Sequence, residues 1–311
     1  MSKYKVFIDG RAGTTGLRID DVLAKRDDIT LLNISPDKRK DEKERLSLIE
    51  EADITFLCLP ESESKKISSL APKSARIIDA STAHRTNEEW AYGLPELTST
   101  QRESIATSNR VALPGCHASG FILMARPLIE TGLLTEDHPF ICHSITGYSG
   151  GGHNKIDEYE EGGELLQAPR QYALTQLHKH LPEMVKHGKL SMAPIFTPHI
   201  SNYFEGMEVV IGVHQNQFTR NTSIAEIREV YEKSYANQAF VTVRPDGYDP
   251  EDGFLSAIAY SYRNDLEIII SGNEDRIVIT ARYDNLGKGA CGAGVQCMNI
   301  MLDIEEGKGL L

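Results

Sequence analysis

The sequence predicts an α/β protein, with a doubly wound parallel sheet followed by an α+β domain built on a mixed sheet. Three observations carry this expectation. Short β-rich runs at 4–9, 29–35, 53–59, 76–80 and 106–113 alternate with helical patterns, clearest at 17–24, 43–51 and 61–70. That is the rhythm of a parallel sheet covered on both faces. A glycine-rich turn directly follows the first run. After residue 116 and a helical stretch at 121–134, the runs lengthen, at 140–146, 207–214, 240–244, 266–271 and 276–283, interrupted by one amphipathic helix at 223–235. This reads as a mixed or antiparallel sheet with one open face, a common dimerisation surface. The 311 residues, 40% hydrophobic, suffice for two cores. The expected division is a dinucleotide-binding domain at 1–115 and a catalytic, substrate and dimerisation domain at 116–288. A C-terminal segment, 289–311, rich in Gly, Ala and Cys on its first helical turns, is expected to return to the first domain.

Composition narrows the partners. A net charge of -12 gives no long-range attraction to nucleic acid or an anionic membrane, which leaves a small-molecule substrate. No uncharged apolar run reaches about 18 residues, and the N-terminus lacks an extended apolar signal core. Five cysteines without paired spacing argue against a disulfide framework or a zinc site, and for a reducing compartment. The expectation is an unprocessed cytoplasmic protein without a metal. The charged stretch 37–45 reads as a solvated loop and helix start.

The turn after the first run is Gly10-Arg11-Ala12-Gly13-Thr14-Thr15-Gly16, with a helical pattern following. Glycines there let a pyrophosphate approach the backbone, and the helix start supplies N–H donors and a favourable dipole. In a βαβ unit this spacing marks a Rossmann-type dinucleotide site. At the end of the second run stands Ser35, with Lys38 and Arg39 close behind. Hydroxyl and cationic partners suit a 2′-phosphate, so NADP (NADPH) is the expected cofactor, while Asp37 keeps NAD open through a ribose 2′-OH contact.

Cys116 lies in Pro114-Gly115-Cys116-His117-Ala118-Ser119-Gly120, between an apolar run and a helical pattern. A cysteine there meets backbone N–H groups and the positive end of a helix dipole, which favour thiolate. It has the character of a nucleophile. Cys58, Cys142, Cys291 and Cys297 lie in apolar or helical runs without that context.

Several stretches together resemble the N-acetyl-gamma-glutamyl-phosphate reductase family in its shorter form. They are the glycine turn, Asp79-Ala80-Ser81-Thr82-Ala83-His84-Arg85, Tyr92-Gly93-Leu94-Pro95-Glu96-Leu97, Pro114-Gly115-Cys116, Gly147-Tyr148-Ser149-Gly150-Gly151-Gly152, His178-Lys179-His180-Leu181-Pro182-Glu183 and Asp284-Asn285-Leu286-Gly287-Lys288-Gly289-Ala290. That family is related to aspartate-semialdehyde dehydrogenase and, more remotely, glyceraldehyde-3-phosphate dehydrogenase. The resemblance implies NADPH-dependent reduction of N-acetyl-glutamyl 5-phosphate to the 5-semialdehyde and phosphate, in arginine biosynthesis, by a homo-oligomer, dimer or tetramer. It implies Cys116 as nucleophile and His180 as proton carrier, with His178 the second candidate. Arg85, after Ser81 and His84, stands where the family carries a comparable phosphate-binding arginine, and a direct role for His84 stays open. Glu183 holds a substrate ammonium or, since the implied amine is acetylated, orients His180. Ser149 and Gly150 are expected at the nicotinamide ribose and Asn285 at the nicotinamide. The family's longer form follows its cysteine with Tyr-Pro, whereas His117-Ala118 stands here.

Two other functions fit parts of the chain. An aspartate-semialdehyde dehydrogenase-type acyl-phosphate reductase uses the same chemistry, but its cysteine typically follows asparagine and precedes threonine. A non-catalytic NADP-binding redox sensor would use Cys116 without turnover, and would leave His178, His180 and Arg85 without a task.

Overall fold

The computed structural model describes residues 4–249 and 252–311, which form two compact units, the chain up to Pro114 with Ala290–Leu311, and Gly115–Gly289. The first unit runs β1 (Tyr4–Asp9), α1 (Thr14–Leu23), β2 (Ile29–Leu32), α2 (Glu42–Glu51), β3 (Ile54–Leu57), α3 (Glu61–Leu70), β4 (Ile77–Asp79), β5 (Ala91–Tyr92), α4 (Gln101–Thr107) and β6 (Arg110–Ala112). Its six strands are parallel in the order β2-β1-β3-β4-β6-β5. Strand order reverses about β1, so the crevice beyond the carboxyl ends of β1 and β3 is the switch point at which such sheets bind ligands. β3 is buried along its whole length, and Phe7, Ile49, Leu57, Ile67 and Ile77 join strands to α2 and α3 in one core. The run expected as a strand at 106–113 is shorter. Its first residues end α4, where Ile105 faces inward, and only Arg110–Ala112 pair. The sequence reading also passed over β5, a two-residue edge strand.

The second unit runs α5 (Cys116–Glu130), β7 (Ile141–Gly147), α6 (His153–Glu161), β8 (Arg170–Gln171), α7 (Leu181–Gly188), β9 (Ile195–Ser201), β10 (Met207–His214), α8 (Ile224–Ser234), β11 (Val241–Val243), β12 (Leu266–Asn273) and β13 (Arg276–Tyr283). Its sheet is mixed, in the order β11-β12-β13-β10-β7-β9-β8. One face packs on α5 and α8, while on the other Ile141 and Ile195, paired in register, are each more than half exposed. Besides α8, the unit holds α6 and α7, which the sequence reading missed together with β8 and β9. The helical pattern of α7 spans only two turns, and Pro198 inside β9 lowers its strand signal.

α5 starts at Cys116, five residues before the expected point, since nothing at Ala118-Ser119-Gly120 interrupts the helix. It is apolar almost all round and runs through the core of its unit. Pro127 sits inside it and has no N–H for the carbonyl of Leu123. The hydroxyl of Tyr235 fills that vacancy, donating to Leu123 O at 2.5 Å, and Tyr231 donates to Met124 O at 2.6 Å.

α9 (Gly292–Met301) packs with α1, α4 and β4 in the first unit. A Cβ at Gly294 would stand 3.0 Å from Leu113 Cδ1 and 3.3 Å from Phe56, so the missing side chain sets how closely this helix lies on the sheet. The segment is locked by a buried cluster. Arg26 grips Asp28 with two bonds of 2.8 and 2.9 Å and donates to Asn299 Oδ1 at 2.6 Å, while Lys308 reaches Asp28 at 2.9 Å. No helix among the described residues is long and apolar enough to cross a membrane.

The cluster makes stability depend on acidity. The bonds from Arg26 hold Asp28 well below the ordinary aspartate value of 3.8, against the opposing effect of burial. Its contribution is therefore complete above the unfolded pKa and fades as pH falls through it toward the folded one. Asp28→Asn should cost about 3 kcal/mol at pH 7, as expected when one partner of a buried pair is removed. In urea unfolding the gap between wild type and variant should narrow from pH 7 to pH 3. An equal gap at both pH values would show that the carboxylate charge is not its source.

Candidate active site

The glycine turn leaves β1 with Gly10 at φ +85°, a conformation natural to glycine. A Cβ at position 10 would lie 2.3 Å from the carbonyl oxygen of Cys58, and one at position 16 would lie 2.5 Å from that of Gly10. Both glycines are thus demanded by the fold. At Gly13, the N-cap of α1, a Cβ would meet only an ordinary contact at 3.4 Å, so the fold itself does not require a glycine there. α1 has no side-chain cap, and the buried hydroxyl of Thr14 has no hydrogen-bond partner. A bare backbone, an uncapped helix start and an orphaned hydroxyl fit the pyrophosphate of a dinucleotide. Ala12 and Thr15 complete the turn, and Cys291 Sγ lies 3.5 Å from Thr15 O. Arg11 folds back to Asp20 at 2.8 Å and to Asn33.

Beyond β2, Ser35, Lys38 and Arg39 are all exposed around a one-turn helix over Pro36–Lys38, with Lys38 paired to Glu44 at 3.1 Å. The charged stretch is not wholly solvated as expected. Arg45 is buried against Asp9, whose carboxylate it meets at 2.8 Å, because the end of β1 would otherwise hold an isolated buried charge.

Asp79, fully buried at the end of β4, accepts from the hydroxyls of Ser64 (3.0 Å) and Ser81 (2.8 Å), from Ser81 N–H (2.9 Å) and from His84 Nδ1 (2.7 Å). His84 Nε2 meets Ser68, and the ring stacks on Trp90 at 3.9 Å. The polar groups of Ser81 and His84 thus turn inward on Asp79. Arg85 bridges the carboxyl ends of two strands, donating to Leu113 O at 2.8 Å and Ala80 O at 3.2 Å.

Cys116 is the first residue of α5, with Gly115 as N-cap and no side-chain cap, so the thiol is carried at a helix start whose first-turn N–H groups lack intrahelical partners. Four groups fix this backbone. Glu183, buried in the first turn of α7, accepts from Gly115 N–H at 3.1 Å. His180, the N-cap residue of α7, lies so close that a Cβ on Gly115 would stand 2.3 Å from its Nε2. The hydroxyl of Tyr283 accepts from Gly120 N–H at 3.0 Å and donates to Cys116 O, the two groups one helical hydrogen bond would otherwise join. Gly289 comes so near that a Cβ there would stand 2.9 Å from Cys116 Cβ. Asp284, accepting from Leu286 N–H at 2.7 Å and Gly287 N–H at 2.8 Å, sets that turn.

Pro182 in the first turn of α7 fixes where that helix begins and so where His180 stands. His178 accepts from His180 N–H at 3.2 Å, and the two rings meet edge to face at 4.6 Å. His117 joins Ser144 and Tyr172, each at 2.7 Å. Burial first, then the charge of Cys116, raises the pKa of Tyr172 and Tyr283, which keeps both hydroxyls protonated. Asn285 donates to Ser149 Oγ at 2.9 Å and accepts from Gly206 N–H at 3.0 Å, with Gly150 packed on its amide. Sequence reasoning brought out Cys116, His178, His180 and Glu183, which the fold gathers at one helix start. It missed Tyr172, Ser144 and Tyr283, which carry no motif, and it quoted Asp284 and Gly289 without a role. Among the described residues no group of three or more His, Cys, Asp or Glu could hold a metal ion.

Both halves of the chain match known families. Residues 5–107 match the semialdehyde dehydrogenase NAD binding domain, and residues 116–285 the semialdehyde dehydrogenase dimerisation domain. The fold is that of solved aspartate semialdehyde dehydrogenases. Enzyme II of Vibrio cholerae, complexed with ASA, matches at TM-score 0.74 and 15% identity over 97% of this chain and 99% of that one. The Candida albicans enzyme with NADP matches at 0.63 and 14% over the same shares. The two family models define a semialdehyde dehydrogenase-type oxidoreductase that uses a nicotinamide cofactor on a small molecule. N-acetyl-gamma-glutamyl-phosphate reductase 2 of a Nostoc species is 41% identical over the full length of both chains, and the Brucella suis reductase is 40% identical over 96% and 99%. The chain belongs to the N-acetyl-gamma-glutamyl-phosphate reductase family.

The contact between Gly115 and His180 yields an expectation. Gly115→Ala must displace the His180 imidazole, and such a displacement should cost about 10²-fold in turnover with nicotinamide nucleotide affinity unchanged. Steady-state kinetics with a binding titration checks this, and a variant of near-normal rate would show that the ring has no part in the chemistry.

Proposed function

We propose that this protein reduces N-acetyl-glutamyl 5-phosphate to N-acetyl-glutamate 5-semialdehyde and phosphate with NADPH, as a step of arginine biosynthesis in the cytoplasm. The observation that carries the reading is Cys116 at the uncapped start of α5, with His180 against the neighbouring Gly115. An acyl phosphate is a good electrophile with a stable leaving group, so the thiolate adds to its carbonyl carbon and expels phosphate to leave a thioester. The first-turn N–H groups of α5 stabilise the oxyanion of that addition. A nicotinamide cofactor, when bound, would supply the hydride that the thioester carbonyl accepts. The resulting thiohemiacetal breaks its C–S bond, releasing aldehyde and thiolate. His180 carries the proton, accepting it from the thiol beforehand and serving the thiohemiacetal oxygen afterwards, with His178 holding its backbone and standing second for the same task. Glu183 accepts from Gly115 N–H, which supports a positioning role over capture of an ammonium group.

Arg85 is assigned the phosphate, with Ser81 and His84 supporting its loop through Asp79. The turn 10–16 holds the pyrophosphate. Ser35, Lys38 and Arg39 favour NADP over NAD, since their hydroxyl and cations suit a 2′-phosphate. Ser149, Gly150 and Asn285 form a hydrogen-bonded group assigned to the nicotinamide end. The protein acts as a homo-oligomer, dimer or tetramer, through the half-exposed sheet face around Ile141 and Ile195.

Protein quenched with the acyl phosphate in the absence of reductant should show by mass spectrometry one acyl adduct, on Cys116. Cys116→Ser should bind NADP normally yet show neither adduct nor turnover. A variant keeping a tenth of the rate would exclude covalent catalysis. His180→Asn should lower the rate by about 10²- to 10⁴-fold. If the loss followed His178 instead, the proton carrier would be the other imidazole.

A further inference from the structure

Beside the thiol lies a hydrogen-bond chain with a fixed direction. It ends on a backbone carbonyl, Glu208 O, which can only accept, so the hydroxyl of Ser144, 2.9 Å away, must donate to it. The Ser144 oxygen then accepts from His117 Nδ1 at 2.7 Å, which places the imidazole proton on Nδ1. His117 Nε2 is left as an acceptor, and the Tyr172 hydroxyl donates to it at 2.7 Å. The chain cannot be reversed by protonating the ring. Burial, then the charges of His178 and Lys179, push His117 down to about 3, so it is neutral at working pH.

The single proton of Tyr172 is thus spent on His117, and its oxygen is left able only to accept. This hydroxyl stands in the thiol site. His117 follows Cys116 in the first turn of α5, the Tyr172 ring lies 5.7 Å from that of His178, and His178 and His180 pack on each other at 4.6 Å. An acceptor-only oxygen repels phosphate and carboxylate, which also only accept, and selects substrate N–H. On the functional reading above, the acyl phosphate carries its phosphate and α-carboxylate ionised, and its only N–H is that of the acetamido group. A free amine in that place would be an ammonium ion, and neither neutral His117 nor protonated Tyr172 could balance its charge.

We propose that Tyr172 accepts the acetamido N–H of the substrate and so selects the acylated amine, with His117 and Ser144 as positioning residues that keep the phenol proton turned away. The proposal rests on the assigned substrate and is tested separately from it. In the oxidative direction, with phosphate and NADP, wild type and Tyr172→Phe are compared on N-acetyl-glutamate 5-semialdehyde and on 5-oxopentanoate, which lacks the acetamido group.

The variant should lose about tenfold in kcat/KM on the acetylated aldehyde, through KM. Its kcat, its KM for phosphate and its kcat/KM on 5-oxopentanoate should stay within about twofold of wild type. Equal loss on both aldehydes would mean that Tyr172 acts at the reacting carbonyl, and no loss on either would mean that it does not touch substrate. Both results overturn the proposal. His117→Phe, which frees the phenol proton, should reproduce the loss on the acetylated aldehyde, and the double variant should add nothing further. A wild-type enzyme inert on the acetylated aldehyde would overturn the functional reading instead.

Discussion

The second unit depends on how tightly the backbone at Gly115-Cys116 is held. A helix start offers its N–H groups in a fixed fan, but only if the first turn does not fray. Here the turn is gripped by a carboxylate at Gly115 N–H, by a phenol between Cys116 O and Gly120 N–H, and by the close approach of Gly289. Each grip comes from a different part of the unit. Glu183 rides on α7, Tyr283 ends β13, and Gly289 follows the turn that Asp284 shapes. A thiol on such a support keeps its alignment at little entropic cost, which is what nucleophilic chemistry needs.

The nucleotide half works by subtraction. Gly10 and Gly16 are demanded by contacts within the fold, whereas a Cβ at Gly13 would meet only ordinary contacts at 3.4 and 3.9 Å. The charge at the end of β1 is answered inside by Arg45, while Ser35, Lys38 and Arg39 after β2 stay exposed. Asp79 organises the β4 end in the same manner, gathering three side chains so that the loop carrying Arg85 has one shape.

The fold class was legible in the sequence because βαβ units impose two periodicities and glycine marks the turn between them. β1, α3, β10 and β13 stand at the expected bounds. The last two residues of α4 were read as strand because a seven-residue helix running into a three-residue strand gives neither period room to show. The site was legible where chemistry concentrates in one stretch, as at Cys116 and at His178 to Glu183. It was hidden where a lone side chain arrives from a distant strand. Tyr283 looks like the end of an ordinary buried strand, and nothing local tells that its hydroxyl enters the first turn of α5. The sequence gives His117 no role, because its partners, Ser144 and Tyr172, lie 27 and 55 residues away.

The proline inside α5 ties two helices into one mechanical body. Since the hydroxyl of Tyr235 completes the ladder that Pro127 leaves open, α5 cannot change pitch without losing the partner that caps the C-terminal end of α8. Anyone transplanting the thiol-bearing helix into another scaffold would therefore have to carry the tyrosine helix along with it. Without it the graft would hold an unsatisfied carbonyl in its interior, two turns from the sulfur.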